Sequence, residues 1–405
     1  MKMGLIELTE KLISFNTVSL ESSTRLMADF MANLCEDAGF KVKPFIYTTG
    51  REITDGSSKK RTEMLEKVNL FASKGGEKPI LGLSGHMDTV PFDPTKWQTD
   101  PFVLTKKGNN YYGLGMADMK LFLATAIITG SRISEFELKK PFALMFTSDE
   151  EVGCLGARNW LKNGNLFLPP SIVIGEPSEL VPYNQHKGYL YLKIEIDRPK
   201  QSRKKIEVHS ADPRIAPNVI ELALLPILMG LLDLKQRLEK ILSPEFDPPY
   251  PTLNIGVIKT GKGSAKNIIA GECLIELDIR PVPNQDIEEI LEKVKWLVQQ
   301  AVEDIDGIQA KVHLGRAPTP PMHTPKEAPI VQLVEKISRH TARAVCFNTE
   351  AGVFNTVGAQ SVIWGPASIK QAHKSNEFVG ARWFQEDIVE KYVMLIKSVC
   401  CEGGL

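Results

Sequence analysis

Apolar side chains recur at helical spacing near the start of the chain: Leu5, Ile6, Leu8, Leu12 and Ile13, then Met27, Phe30, Met31 and Leu34 beyond a Ser/Asn/Thr-rich break. Residues three and four apart share one helix face, so this spacing predicts two amphipathic helices within residues 5–39. The stretch from Tyr47 to Arg61 is polar and rich in turn formers, and it reads as a surface excursion. Short apolar runs follow at 79–84, 142–147, 172–175 and 362–365, alternating with helical segments such as 120–133. That alternation predicts an α/β sheet covered by helices.

Between residues 189 and 314 the texture changes. Strand-like alternation at 189–196, 253–258 and 274–279 surrounds long helical runs at 218–241 and 286–305. The pattern predicts a separate α+β unit, 189–314, inserted into a discontinuous larger domain formed by 1–188 and 315–405. A proline-rich segment, 318–329, leads back to a helix, the strand near Val362 and a terminal helix.

Composition narrows the partners. The 405 residues exceed one ordinary domain, and 49 basic residues cancel 49 acidic ones. No Lys/Arg run has the density of a nucleic-acid surface, so nucleic acid is not an expected partner. The six cysteines are scattered with no CxxC pair, which argues against a disulfide framework or a thiolate zinc site and fits a reducing compartment. Glu7 and Glu10 interrupt any secretory apolar core, and no apolar run approaches membrane-spanning length, so the expectation is a cytoplasmic protein with no membrane partner.

The chemistry gathers where the apolar runs end. The first ends Ser84-Gly85-His86-Met87-Asp88-Thr89. Strand alternation sets His86 and Asp88 on one face, where the carboxylate could hold one ring nitrogen while the other binds a metal. In Gly113-Leu114-Gly115-Met116-Ala117-Asp118-Met119-Lys120 a glycine-rich loop enters a helix, and Asp118 is either its N-cap or a carboxylate bridging two cations. After the 142–147 run stand Asp149, Glu150 and Glu151, whose mutual repulsion is costly in a buried place unless cations or protons relieve it. Adjacent side chains diverge, so one glutamate can ligate a metal while the other acts as a general base. The remaining runs lead to Glu176 and to His373. Two histidines and several carboxylates form a nitrogen and oxygen donor set suited to Zn²⁺, Co²⁺ or Mn²⁺.

Taken together, these segments resemble the M20 metallopeptidase family over nearly the whole chain. The resemblance rests on Gly85-His86-Met87-Asp88-Thr89-Val90-Pro91-Phe92-Asp93, Ala117-Asp118-Met119-Lys120, Asp149-Glu150-Glu151, Ile174-Gly175-Glu176-Pro177, Tyr250-Pro251-Thr252-Leu253-Asn254, Asp278-Ile279-Arg280-Pro281, and Gly365-Pro366 followed by Gln371-Ala372-His373. It implies a zinc-peptidase-like catalytic domain with a central mixed sheet flanked by helices, and an inserted ferredoxin-like domain serving as dimer face and lid. It also implies metal-dependent hydrolysis of the amide bond of a small N-acyl amino acid by a homodimer holding two divalent ions, zinc with cobalt as a substitute.

Carried over residue by residue, Asp118 would bridge the ions, with His86 and Glu176 on one and Glu151 and His373 on the other. Asp88 would orient His86, and Glu150 would be general base and acid. Val208-His209-Ser210-Ala211-Asp212-Pro213 resembles a lid motif whose histidine reaches the partner subunit's site to help hold the oxyanion. Asn267 and Arg280 look like substrate-side residues, Arg280 offering a fork to an α-carboxylate unless it forms a structural salt bridge. Thr349-Glu350-Ala351 resembles the loop of members that deacetylate N2-acetyl-ornithine in arginine biosynthesis, with Glu350 expected against the substrate's positive side chain. Sister activities remain open: succinyl-diaminopimelate desuccinylase, aminoacylase and dipeptidase, as does a binding protein without turnover. The sequence departs from the family pattern at Arg203-Lys204-Lys205-Ile206-Glu207, where a glycine is usual, and at Leu121-Phe122, where small residues are common.

Overall fold

The computed structural model describes residues 3–54, 60–162, 167–198, 208–261 and 265–402. The chain forms two compact units: Met1–Gln185 with Met322–Ala344 and Thr349–Leu405, and His186–Pro321 with Val345–Asn348.

The first unit is built on a mixed sheet. Its strands lie in the order Lys41–Thr54, Lys60–Lys74, Phe142–Thr147, Leu81–His86, Ser171–Pro177, Gln360–Gly365, Tyr183–His186 and Met322–His323. The four from Phe142–Thr147 to Gln360–Gly365 run parallel, and antiparallel strands flank them. Every residue of Leu81–His86 and Phe142–Thr147 is buried, which is why Phe142–Phe146 reads as an unbroken apolar run and Leu81–His86 carries only small polar Ser84 before His86. Helices Leu5–Ile13, Arg25–Asp37, Leu121–Arg132 and Glu386–Ile396 supply much of the core that covers the sheet. The two N-terminal helices and the Leu121 helix occupy the stretches that their periodicity predicts.

The excursion expected at Tyr47–Arg61 is instead part of a long antiparallel ribbon. Lys41–Thr54 pairs with Lys60–Lys74 in continuous register from Lys41 opposite Ser73 to Thr54 opposite Lys60. β-Branched Thr48, Thr49, Thr62 and Val68 suit extended backbone, but the inner end from Lys67 to Lys74 is buried throughout and carries polar Lys67, Asn69, Ser73 and Lys74, so it shows neither an unbroken apolar run nor a period of two.

The second unit follows the chain order strand, helix, strand, strand, helix, strand, a ferredoxin-like arrangement. Its antiparallel sheet has the order Thr252–Thr260, Glu272–Arg280, Leu190–Asp197 and Gln309–Leu314. Leu190, Leu192, Ile194 and Ile196 face the core, where Ile227 and Leu231 of helix Leu225–Leu238 and Val294 and Val298 of helix Ile287–Val302 meet them. Asp286 caps the latter helix by accepting from the Glu288 N–H at 2.9 Å. An α/β core with an inserted ferredoxin-like unit is thus what the chain forms. The departure at Arg203–Glu207 lies outside the described residues. Among the described residues no helix is long and apolar enough to cross a membrane.

Candidate metal centre

The four parallel strands of the first unit deliver their polar residues at their carboxyl ends, the usual place for a site in an open α/β sheet. His86 closes its strand, and its Nε2 lies 3.0 Å from Asp118 Oδ1 and 3.7 Å from Glu176 Oε1. His373 Nε2 lies 2.9 Å from Glu151 Oε1 and 3.4 Å from Asp118 Oδ2. The two oxygens of Asp118 therefore face different histidines. His86, Asp118 and Glu176 are buried, whereas the His373 side chain is 55% exposed.

Asp118 is not a helix cap. The helix that follows starts at Leu121 with Lys120 in its cap position and no side-chain cap. Ligating atoms of His86, Glu150 and Glu176 lie within 4.8 Å of one another, as do those of His86, Asp118 and Glu151. Within the acidic triplet the side chains separate: Asp149 pairs with buried Lys67 at 2.8 Å, and Glu151 turns to His373.

Asp88 holds His86 differently from the expectation. The Nδ1 contact at 2.9 Å is to the Asp88 main-chain oxygen, while the carboxylate lies 3.6 Å away. The strand ends at His86, so side-chain alternation no longer governs residue 88. The carboxylate instead accepts from Ser19 Oγ at 2.6 Å, from Glu150 N–H at 3.1 Å and from Glu151 N–H at 3.2 Å. It thereby fixes the backbone that carries both glutamates.

Electrostatics in this cluster are strained. Burial above all pushes Glu150 up to about 8; the His86 charge opposes the shift and those of Glu151, Asp88 and Glu350 reinforce it. Burial and then the Asp118 charge raise Glu176 well above the usual carboxylate range. Burial would raise Asp118 too, but hydrogen bonds from His373 and His86 hold it below its ordinary value. Burial lowers His86, yet Asp118, Glu176 and Asp88 bring it well above an ordinary imidazole, and hydrogen bonds to Asp118 and Glu151 push His373 up to about 11. Such a concentration of buried carboxylate needs protons or cations.

The donor set fits divalent metal. Two ligand atoms each about 2.0–2.2 Å from a tetrahedral zinc stand about 3.3 Å apart. The histidine-to-carboxylate distances of 3.0 and 3.7 Å around His86, and of 2.9 and 3.4 Å around His373, bracket that separation.

Glu350 requires a correction. It is 1% exposed, and both its oxygens are taken, Oε1 by Ser84 Oγ at 2.6 Å and Oε2 by Thr147 Oγ1 at 2.7 Å. It lies among strand side chains and presents no free oxygen to a substrate. In the second unit the Nε and Nη2 edge of Arg280 is occupied by Asp278 at 2.7 and 3.0 Å, and Nη1 donates to Asn348 at 2.9 Å, so the salt-bridge alternative describes its geometry. His209 and Asn267 are exposed in the same unit, joined by the Ser210 N–H to Asn267 carbonyl bond of 2.9 Å. The bulk of Phe122 goes into the core against Tyr392 and Gly175, where a Cβ on Gly175 would lie 2.1 Å from the ring.

Lys67, Ser19 and Glu377 were not singled out from sequence. Lys67 to Lys74 are all buried, yet polar Lys67, Asn69, Ser73 and Lys74 interrupt the apolar run that would have marked the strand, and nothing local marks Ser19 or Glu377.

Comparisons with known proteins agree with this geometry. The model of peptidase family M20/M25/M40 matches residues 82–399. Acetylornithine deacetylase of Pasteurella multocida is 32% identical over 403 residues, covering 98% of each chain. That of Edwardsiella ictaluri is 34% identical over 368 residues, 91% of this chain and 89% of the relative. Among solved structures, an M20 family metallo-carboxypeptidase from Sulfolobus solfataricus aligns with a TM-score of 0.73 at 19% identity over 96% of this chain and 98% of that one. A dinuclear metal binding M20 peptidase of Bacillus subtilis aligns at 0.64 and 13% identity over 98% and 97%. The class defined by fold and site is a metal-dependent amidohydrolase. The chain belongs to peptidase family M20/M25/M40.

Proposed function

We propose that the protein hydrolyses the amide bond of N2-acetyl-L-ornithine to L-ornithine and acetate. The observation that carries the reading is full-length identity of 32% to a protein named acetylornithine deacetylase, in a chain whose strand ends gather His86, Asp118, Glu150, Glu151, Glu176 and His373.

Asp118, His86, Glu176, Glu151 and His373 would hold the two ions, with zinc the expected metal and cobalt a substitute. Two ions bound there would supply Lewis-acid polarisation of the acyl carbonyl and of the attacking water. Glu150 takes a proton from that water as oxygen adds to the carbonyl carbon, then passes it to the amine nitrogen as the C–N bond breaks. A carboxylate whose affinity for protons is raised by burial is suited to both halves of that transfer. Asp88 keeps Glu150 and Glu151 in place through their main-chain N–H groups.

By resemblance, His209 is assigned to the oxyanion and Asn267 to the substrate, the second unit being the dimer face and lid of a cytoplasmic homodimer, while Arg280, held by Asp278 and Asn348, is left to its salt bridge. Leu222, Leu225, Met229 and Leu232 are 44–64% exposed at helical spacing on that unit, an apolar stripe that supports self-association.

Glu150→Ala tests the mechanism. The variant is expected to keep its metals and lose turnover by several orders of magnitude, whereas Asp118→Ala loses the metals themselves; parent activity in Glu150→Ala would remove the general-base role.

A further inference from the structure

Glu377 lies four residues beyond His373, is 2% exposed, and binds one loop through three oxygens. Its Oε2 accepts from the Gly115 N–H at 2.8 Å, and Oε1 accepts from Ala117 N–H at 2.6 Å and Asp118 N–H at 3.1 Å. Its main-chain oxygen accepts from Gly113 N–H at 3.2 Å. These donors belong to the loop that presents Asp118. Because Asp118 and Met119 are not helical, a regular hydrogen-bond ladder does not hold this segment, and its buried N–H groups need an acceptor from elsewhere.

The other end of the strap is equally tied. Asn376 Oδ1 accepts from Gln98 N–H at 2.7 Å, its amide donates to Lys96 O at 2.9 Å, and Phe378–Gly380 pairs with Asn110–Tyr112. His373 itself is half exposed and reaches Asp118 Oδ2 at 3.4 Å. Its placement thus depends on the backbone that Glu377 anchors.

We infer that Glu377 is a positioning residue for the reaction, clamping the 113–118 loop to the 373–377 segment so that Asp118 and His373 stand at the spacing two metal ions require. The inference rests on the two-metal reading proposed above. It also explains why the residue is a glutamate: three N–H donors converge on two acceptor oxygens. A glutamine would keep one oxygen and turn an NH₂ against an N–H.

The test uses the full chain and its Glu377→Gln variant, titrated with Zn²⁺ and Co²⁺ after chelation, followed by equilibrium dialysis, the visible Co²⁺ spectrum, kcat and KM. The parent is expected to bind two ions. Glu377→Gln is expected to keep the parent's circular dichroism, lose about 10–100-fold in affinity for an ion, show altered cobalt bands, and lose kcat more than KM. Glu377→Asp, which keeps the charge on a shorter arm, provides the same readout should the glutamine variant not fold. Parent-like affinity, spectrum and kcat in a folded variant would overturn the role of Glu377 while leaving the two-metal reading intact. A parent that binds no ion would overturn the two-metal reading, and this inference with it.

Discussion

Lys67 Nζ lies 2.8 Å from Asp149 Oδ1, and both side chains are completely buried. Asp149 immediately precedes Glu150 and Glu151 in the chain, and Lys67 also donates to the Ser22 carbonyl at 2.8 Å. Burial, then the Asp88 charge, push Asp149 up to about 6 despite this partner. Lys67→Met would strand the carboxylate, and breaking a buried pair in this way costs about 3–5 kcal/mol. The expected outcome is a marked fall in the denaturation midpoint, partly restored by adding Asp149→Asn. An unchanged midpoint in Lys67→Met would show that the pair adds nothing to stability.

Metal uptake should release protons. With His86 raised well above an ordinary imidazole and His373 pushed up to about 11, both rings are protonated at neutral pH in the metal-free protein, whereas a ligating imidazole is neutral. Calorimetry in buffers of different ionisation enthalpy is expected to show net proton release, from the two histidines and from ligand carboxyls such as Glu176 that burial raises, and affinity rising with pH. For the metal-free protein the sign is opposite. A histidine raised on folding stabilises fully below its unfolded pKa of about 6.5, and that contribution is lost as pH climbs towards the folded value. Thermal melts in chelator should therefore fall with rising alkalinity.

Gly175 precedes a proposed ligand and has the Phe122 ring against it. A Cβ there would sit 2.1 Å from the ring, so Gly175→Ala is expected to lower both stability and metal affinity. Because the obstruction is a side chain, Phe122→Leu in the same protein should restore part of both. Metal affinity equal to the parent in Gly175→Ala alone would show that the packing of Phe122 does not position Glu176.

The parallel strands were legible because burial on both faces leaves Leu81–His86 and Phe142–Thr147 without charged residues until those that carry chemistry. The helices of the second unit were legible from their period. The ribbon containing Lys67 was not, since buried polar Lys67, Asn69, Ser73 and Lys74 break up the apolar run at its inner end. Glu377 was not either, because its partners are main-chain N–H groups of a distant loop, which leave no side-chain pattern to read. Asp88 illustrates a subtler loss: its place beside His86 was readable, but which of its oxygens meets the ring depended on where the strand stops.

The most direct test of the proposed activity is kcat/KM of the zinc- or cobalt-loaded enzyme for N2-acetyl-ornithine beside N-succinyl-diaminopimelate, other N-acyl amino acids and dipeptides. A clear preference for N2-acetyl-ornithine is expected. Preference for another substrate would contradict the assignment while keeping the amidohydrolase mechanism, and no turnover across the panel with metals bound would contradict both.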